Sequence, residues 1–183
     1  MTQRLVAALE HLCARGSDFD RILPVLRKNR QEAVPILVRL LSHPDPNWRR
    51  AAAAALARLR TTPARALPAL LRMLKSHDVA GQIAAIAALD WLPRGSQAKA
   101  VPAVVRVLRS RPAPGPAFTR TRANLPRAVA AHFLGLRGGA RGYAALSDAS
   151  QRTHDPILYQ VQAALENAGR PRKAKSSGRR TTR

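Results

Sequence analysis

The sequence predicts an all-α protein, an α-solenoid of about four to five antiparallel helix pairs ending in a disordered basic tail. Three observations carry this. Alanine supplies 35 of the 183 residues and aromatics only 4%, a composition that favours helix over strand. A nine-residue pattern recurs at spacings of 33 and 34 residues, and a fixed period in this range marks stacked supersecondary units. The charge of +22 is concentrated: residues 91–147 hold 10 cations and no carboxylate, and residues 170–183 hold 7 cations and no carboxylate.

The recurring pattern reads Ala33-Val34-Pro35-Ile36-Leu37-Val38-Arg39-Leu40-Leu41, then Ala66-Leu67-Pro68-Ala69-Leu70-Leu71-Arg72-Met73-Leu74, then Ala100-Val101-Pro102-Ala103-Val104-Val105-Arg106-Val107-Leu108. Apolar residues fall at helical spacing, and the Pro is expected early in each helix, where its missing N–H matters least. A turn and a second helix follow each pattern. Asp45 is a natural N-cap and Pro46 a natural first residue for a helix running through Ala51 to Leu59. Asp78 precedes the next, Ile83 to Leu92. The third, expected from about Leu125 to Leu136, lacks the Asp and carries roughly 12 extra residues. The fourth pair is weaker, with a short first helix over Gly142 to Leu146 and a second opened by Asp155-Pro156 and ending near Ala168. Ahead of the repeats, Thr2 to Ala14 and Ser17 to Lys28 read as a degenerate capping pair, with Ser17 and Asp20 placed as a capping box.

The expected organisation is one folding unit over 1–169, because each repeat buries its apolar face only against neighbours. Its parts are a capping pair (1–30), repeats at 31–63 and 64–97, a repeat at 98–137 with a loop insertion at 110–124, and a last repeat at 138–169. Residues 170–183 are too polar and charged to bury anything and are expected to be disordered.

Asp45 to Leu59, with its Asp-Pro turn, its basic residue and its Ala-rich helix closing on Leu, resembles the HEAT-repeat pattern. It is similar in particular to the short HEAT-like repeats of bacterial proteins, as in bilin-lyase-type and alkylpurine-DNA-glycosylase-type solenoids. The resemblance spans about residues 31–169. It implies a right-handed solenoid whose second helices line a concave face, and a ladder in which the basic residue of one second helix meets the turn Asp of a neighbour. On that basis Arg49 is expected to meet Asp78. The third repeat departs by lacking the turn Asp, and the second by having Gln82 at the basic position. Arg127 stands at that position with no Asp in its own turn, so it is expected to be free to bind a partner.

Several classes are excluded. Apolar stretches such as 51–57 are far shorter than the ~18 residues of a membrane span. Leu5 to Leu9 is too short for a secretory leader's apolar region. A lone Cys13 excludes an intrachain disulfide and a Cys-rich metal site. His11, His43, His77, His132 and His154 lack metal-ligand spacing. No metal and no cofactor are expected, and the expected location is a reducing one: the cytoplasm, including nucleoid or ribosome.

The candidate binding residues are cations with a few aromatics. Arg39, Arg72 and Arg106 share one repeat position and would form a line; guanidinium forks match phosphate oxygens. The alternative is a solvated face with stems packed over leucines. Trp48 and Arg50 open a second helix and are offered to the same partner. In the insertion, flanked by Arg109 and Arg111, Pro112, Pro114, Gly115 and Pro116 preclude helix. Phe118, Arg120 and Arg122 then combine an aromatic with cations, a set suited to base stacking and phosphate contact; the alternative is a tolerated loop. Arg137 and Arg141 flank glycines in an Arg-Gly-Gly-like segment, or the glycines simply end one helix. In the tail, Arg172, Lys173, Lys175, Arg179 and Arg180 would bind a polyanion through counterion release. Asp90 beside Trp91 suggests the carboxylate and aromatic of a HEAT-like glycosylase, but helix neighbours point about 100° apart and would not share a ligand.

The sequence therefore points to a non-catalytic, monomeric module for nucleic acid, RNA or DNA, or a nucleoprotein. Backbone contact would give weak sequence preference. The alternative is a scaffold for an acidic protein. A HEAT-like DNA glycosylase is a third reading, and no membrane partner is expected.

Overall fold

Local chemistry sets where the helices begin and end. Asp45 is extended at ψ 125°, and its Oδ1 accepts the Asn47 N–H at 2.8 Å with Pro46 in the first turn. This N-cap starts a helix that runs to Arg58. The computed structural model describes residues 19–111, 117–152 and 155–168, without the side chains of 19–21 and 117–122. Its elements are α1 (Phe19–Lys28), α2 (Arg30–Leu40), α3 (Pro46–Arg58), a 3-10 turn (Ala64–Ala66), α4 (Leu67–Lys75), α5 (Val79–Leu89), α6 (Arg94–Leu108), α7 (Ala117–Arg137), α8 (Gly139–Ser150) and α9 (Leu158–Ala168). Every regular element among the described residues is helical, and none is long and apolar enough to cross a membrane.

Four hairpins, α2–α3, α4–α5, α6–α7 and α8–α9, stack in chain order, with α1 packed on α2 and α3. The second helices contact one another more extensively than the first helices do: α3 meets α5, α5 meets α7, and α7 meets α9. Small side chains permit this. Ala51, Ala52, Ala53 and Ala55 of α3, Ala85 and Ala88 of α5, and Ala130 and Ala131 of α7 are all buried. Interhelical distance depends on the side chains at the contact, so alanine brings these helices together. Leucines fill the remaining space. Leu41, Leu74 and Leu108 repeat one buried position of the first helices, and Leu56, Leu89 and Leu134 one of the second.

The structure corrects three expectations about element bounds. The insertion at 110–124 is helical from Ala117 onward, because α7 begins there rather than near Leu125. The Ala and Arg residues from Ala117 onward are adequate helix formers. Pro35, Pro102 and Pro126 lie inside α2, α6 and α7, and of the three repeat prolines only Pro68 sits in a first turn. An interior Pro costs ~3 kcal/mol in an exposed helix, which hairpin packing must offset. The first helix of the last pair starts at Gly139 rather than Gly142, since Gly139 takes a φ of +55° and turns the chain in one residue. The helix expected over Thr2 to Ala14, and Ser17 of the capping box, lie outside the described residues.

Gly135 marks the closest approach. A Cβ there would lie 2.6 Å from the Ala164 carbonyl oxygen and 3.1 Å from its Cα. Both are backbone atoms, so the α7–α9 crossing requires glycine. Gly135→Ala should therefore destabilise by about 1–3 kcal/mol, although Gly→Ala inside an unconstrained helix stabilises by roughly 1 kcal/mol. Chemical denaturation monitored by circular dichroism checks the sign.

Candidate nucleic-acid interface

The arginines divide into those that hold hairpins together and those that face solvent. The Arg50 Nε donates to both Asp78 oxygens, at 2.9 and 2.7 Å. Arg49 instead donates through Nη1 to the carbonyls of His43, at 2.8 Å, and Pro44. Arg50, not Arg49, is thus the partner of Asp78, because Arg49 is spent on the turn behind it. Gln82 does in the next repeat what Arg49 does here, with Nε2 donating to the Ser76 carbonyl at 2.7 Å and the Leu74 carbonyl at 3.3 Å.

Arg127 combines both tasks. Its Nε donates to the Leu108 carbonyl at 3.1 Å, and its two Nη groups grip Asp155, Nη1 to Oδ1 at 2.9 Å. Its side chain and that of Asp155 are each 3% exposed. The expectation that Arg127 is free to bind a partner is overturned: its Asp comes from the following turn, 28 residues on, as Asp78 does for Arg50. Between the second and third hairpins this rung is absent on both sides, since Gln82 is neutral and residues 109–116 contain no carboxylate. No charge is buried alone as a result.

These pairs set the charge state of the turn carboxylates. Burial by itself would raise Asp155. The hydrogen bonds from Arg127 and the Ile157 N–H, with the charges of Arg127 and Arg152, outweigh it and hold the carboxyl below its ordinary value. Asp78 is lowered in the same way, burial opposing and Arg50, the Gly81 N–H and Arg49 prevailing.

Other candidates are also placed. Arg137 Nε donates to Asp90 Oδ1 at 2.7 Å, and Arg109 lies 3.4 Å from Asp148, which Arg152 also approaches at 3.5 Å. Arg39, Arg72, Arg106, Arg111 and Arg141 are exposed. Arg72 Nη2 donates to the Ser42 hydroxyl at 2.8 Å. Trp48 is half-buried, packed on the core, with its ring centroid 5.2 Å from that of His43. It is not an open stacking platform. Trp91 lies under the Arg60 guanidinium, 5.3 Å from the ring centroid, so Asp90 and Trp91 face different partners. Phe118, Arg120 and Arg122 fall in the first turns of α7, where only the backbone is described. Arg172, Lys173, Lys175, Arg179 and Arg180 lie outside the described residues.

The structure adds groups that the sequence reading passed over. Ser42 and His43 line an opening of about 360 Å³ with Arg49 and Arg72. Lys75, Ser76 and His77 line one of about 330 Å³ with Arg106. Arg27, Arg30, Arg58 and Arg60 surround a third of about 270 Å³. The first two were legible as turn residues preceding each capping Asp; the third brings together residues from three elements with no shared motif. No group of three His, Cys, Asp or Glu suited to a metal ion occurs among the described residues.

Residues 6–90 match the family model of HEAT repeats. Hairpin stacking continues beyond this stretch through α9. No curated protein matches the chain.

Removing one partner of a buried ion pair costs about 3–5 kcal/mol, so Asp155→Asn or Arg127→Met should lower stability by that order. Because the Asp155 carboxyl is depressed in the folded state, its contribution is complete above the ordinary value of 3.8 and is lost as pH falls below it. Unfolding free energies measured between pH 7 and pH 3 should fall steeply for the wild type and less steeply for Asp155→Asn.

Proposed function

We propose that the protein is a right-handed HEAT-repeat α-solenoid that binds nucleic acid, or the nucleic-acid surface of a nucleoprotein, through the phosphate backbone and without catalysis. The observation that carries this reading is the cationic surface left over after internal pairing. Asp78, Asp90, Asp148 and Asp155 each hold an arginine. Arg39, Arg106, Arg111 and Arg141 are exposed with no carboxylate partner among the described residues, and the partner of Arg72 is a neutral hydroxyl. Exposed guanidiniums of this kind suit phosphate oxygens. Neither Trp is open for stacking, which favours backbone contact over base readout. The close second helices support curvature toward that layer. Asp90 is engaged by Arg137, which weighs against its use as a glycosylase carboxylate. Residues 170–183 add 7 cations.

A second reading is an interaction scaffold for an acidic protein. HEAT repeats generally serve as protein-interaction scaffolds, and the match over 6–90 favours it.

Binding of labelled single-stranded RNA, single-stranded DNA and duplex DNA across a salt series tests the first reading. The logarithm of affinity should fall linearly with the logarithm of salt, by about 0.7 per phosphate neutralised on single strands or about 0.9 on duplex. Truncation after residue 169 should remove part of that slope and leave several contacts' worth in the folded body. Binding to poly-glutamate with none to any of the three polymers would move the assignment to the second reading.

A further inference from the structure

Two openings along the edge where first helices turn into second helices are the same site one repeat apart. The first lies between the α2–α3 turn and α4. Ser42, His43 and Arg72 surround its mouth, over Ala69 and Met73. The second lies between the α4–α5 turn and α6. There Ser76, His77 and Arg106 surround the mouth, over Ala103 and Val107. The first-helix residues correspond at 34, Arg72 to Arg106 and Met73 to Val107, and the turn residues at 33, so Ser42 corresponds to Lys75 and His43 to Ser76, with His77 one place further on. Neither described lining contains a carboxylate, and each carries a further polar donor on the second helix, Arg49 or Gln82.

The donors of the first opening are held in place. Arg72 is tied to Ser42 through one Nη, leaving the rest of its fork at the mouth. His43 Nδ1 accepts the Asp45 N–H at 3.1 Å, which assigns the ring proton to Nε2, a donor. Trp48 packs beside the imidazole and fixes its plane. A guanidinium, a hydroxyl and an imidazole N–H are groups that hold a tetrahedral oxyanion. The track has an end. Arg72 and Arg106 stand two residues after buried Leu70 and Val104; two residues after buried Leu146, α8 presents Asp148, already engaged by Arg109.

Spacing favours one anionic chain over another. Neighbouring helices pack about 8–10 Å apart, so successive openings are separated by roughly that distance. Nucleic acid advances about 3.4 Å per nucleotide when stacked, so about three nucleotides span the distance between openings, and the rotatable backbone of a single strand can turn a phosphate toward each. An extended acidic peptide advances about 3.3 Å per residue with alternating faces, and its third residue points away. We propose that the openings at Arg72 and Arg106 are consecutive phosphate subsites for a single nucleic-acid strand crossing the turns at about three nucleotides per repeat. This rests on the nucleic-acid reading above and adds the path of the strand.

The test uses the full chain with Arg72→Ala, Arg106→Ala, the double variant and a control, Lys99→Ala, which removes one exposed charge from the opposite end of α6. Oligouridylate and oligothymidylate from two to eight nucleotides are titrated across salt; the two arms separate RNA from DNA. Each Arg variant should reduce the salt slope by about 0.7 and the double by about 1.4, while Lys99→Ala leaves it unchanged. Lengthening the strand past about four nucleotides should raise wild-type affinity, and Arg106→Ala should abolish that gain. If the wild type binds but both Arg variants match Lys99→Ala, the subsites are overturned and the nucleic-acid reading stands. If the wild type binds neither polymer, both are overturned. Unchanged thermal midpoints keep loss of fold from imitating loss of a contact.

Discussion

Arg127 and Asp155 face each other almost without solvent, and Arg50 grips Asp78 across the same sequence separation. In each case a second helix reaches forward to the turn of the next hairpin. Hydrophobic burial is non-directional and would tolerate several offsets between stacked alanine faces. A forked ion pair tolerates one. Desolvation offsets much of the attraction in such a pair, so its main effect is to set which turn meets which helix. The glycine at 135 and the alanines of α3, α5 and α7 then allow the helices to close to the distance at which the rung forms.

The position of everything on the turn edge follows. With the hairpins in register, Ser42 and His43 come to line one opening with Arg72, and Ser76 and His77 another with Arg106. The same register sorts the cations. Those reaching a neighbouring turn find a carboxylate and become structural; Arg39, Arg72 and Arg106, in the last turns of the first helices, meet only solvent or a hydroxyl. In a strongly basic chain, Asp78 and Asp155 are thereby held at the joints between hairpins.

Much of this was legible in the sequence. The Ala-Leu composition, the repeat at 33 and 34 residues and the Asp45-Pro46 cap gave helices, pairing and order. The shared exposure of Arg39, Arg72 and Arg106 was legible because they occupy one repeat position. Bounds were not, because interior prolines signal helix starts locally while packing carries α2 and α6 through them. Arg127 was misread because its partner was sought in its own turn; the spacing from Arg50 to Asp78 pointed to Asp155. Trp48 and His43 were read as separate features, since their contact depends on how the turn folds back. Arg60, at φ +51° over Trp91, has no sequence signal beyond following a helix end.

The central claim is that structural and binding arginines are distinct sets. A double-mutant cycle over Arg127→Met and Asp155→Asn, read for both unfolding free energy and nucleic-acid salt slope, tests it most directly. The account predicts a coupling energy of at least about 1 kcal/mol between the two sites, with a slope equal to that of the wild type in every folded variant. A slope reduced by about 0.7 on single strands in Arg127→Met, with no coupling in stability, would contradict it.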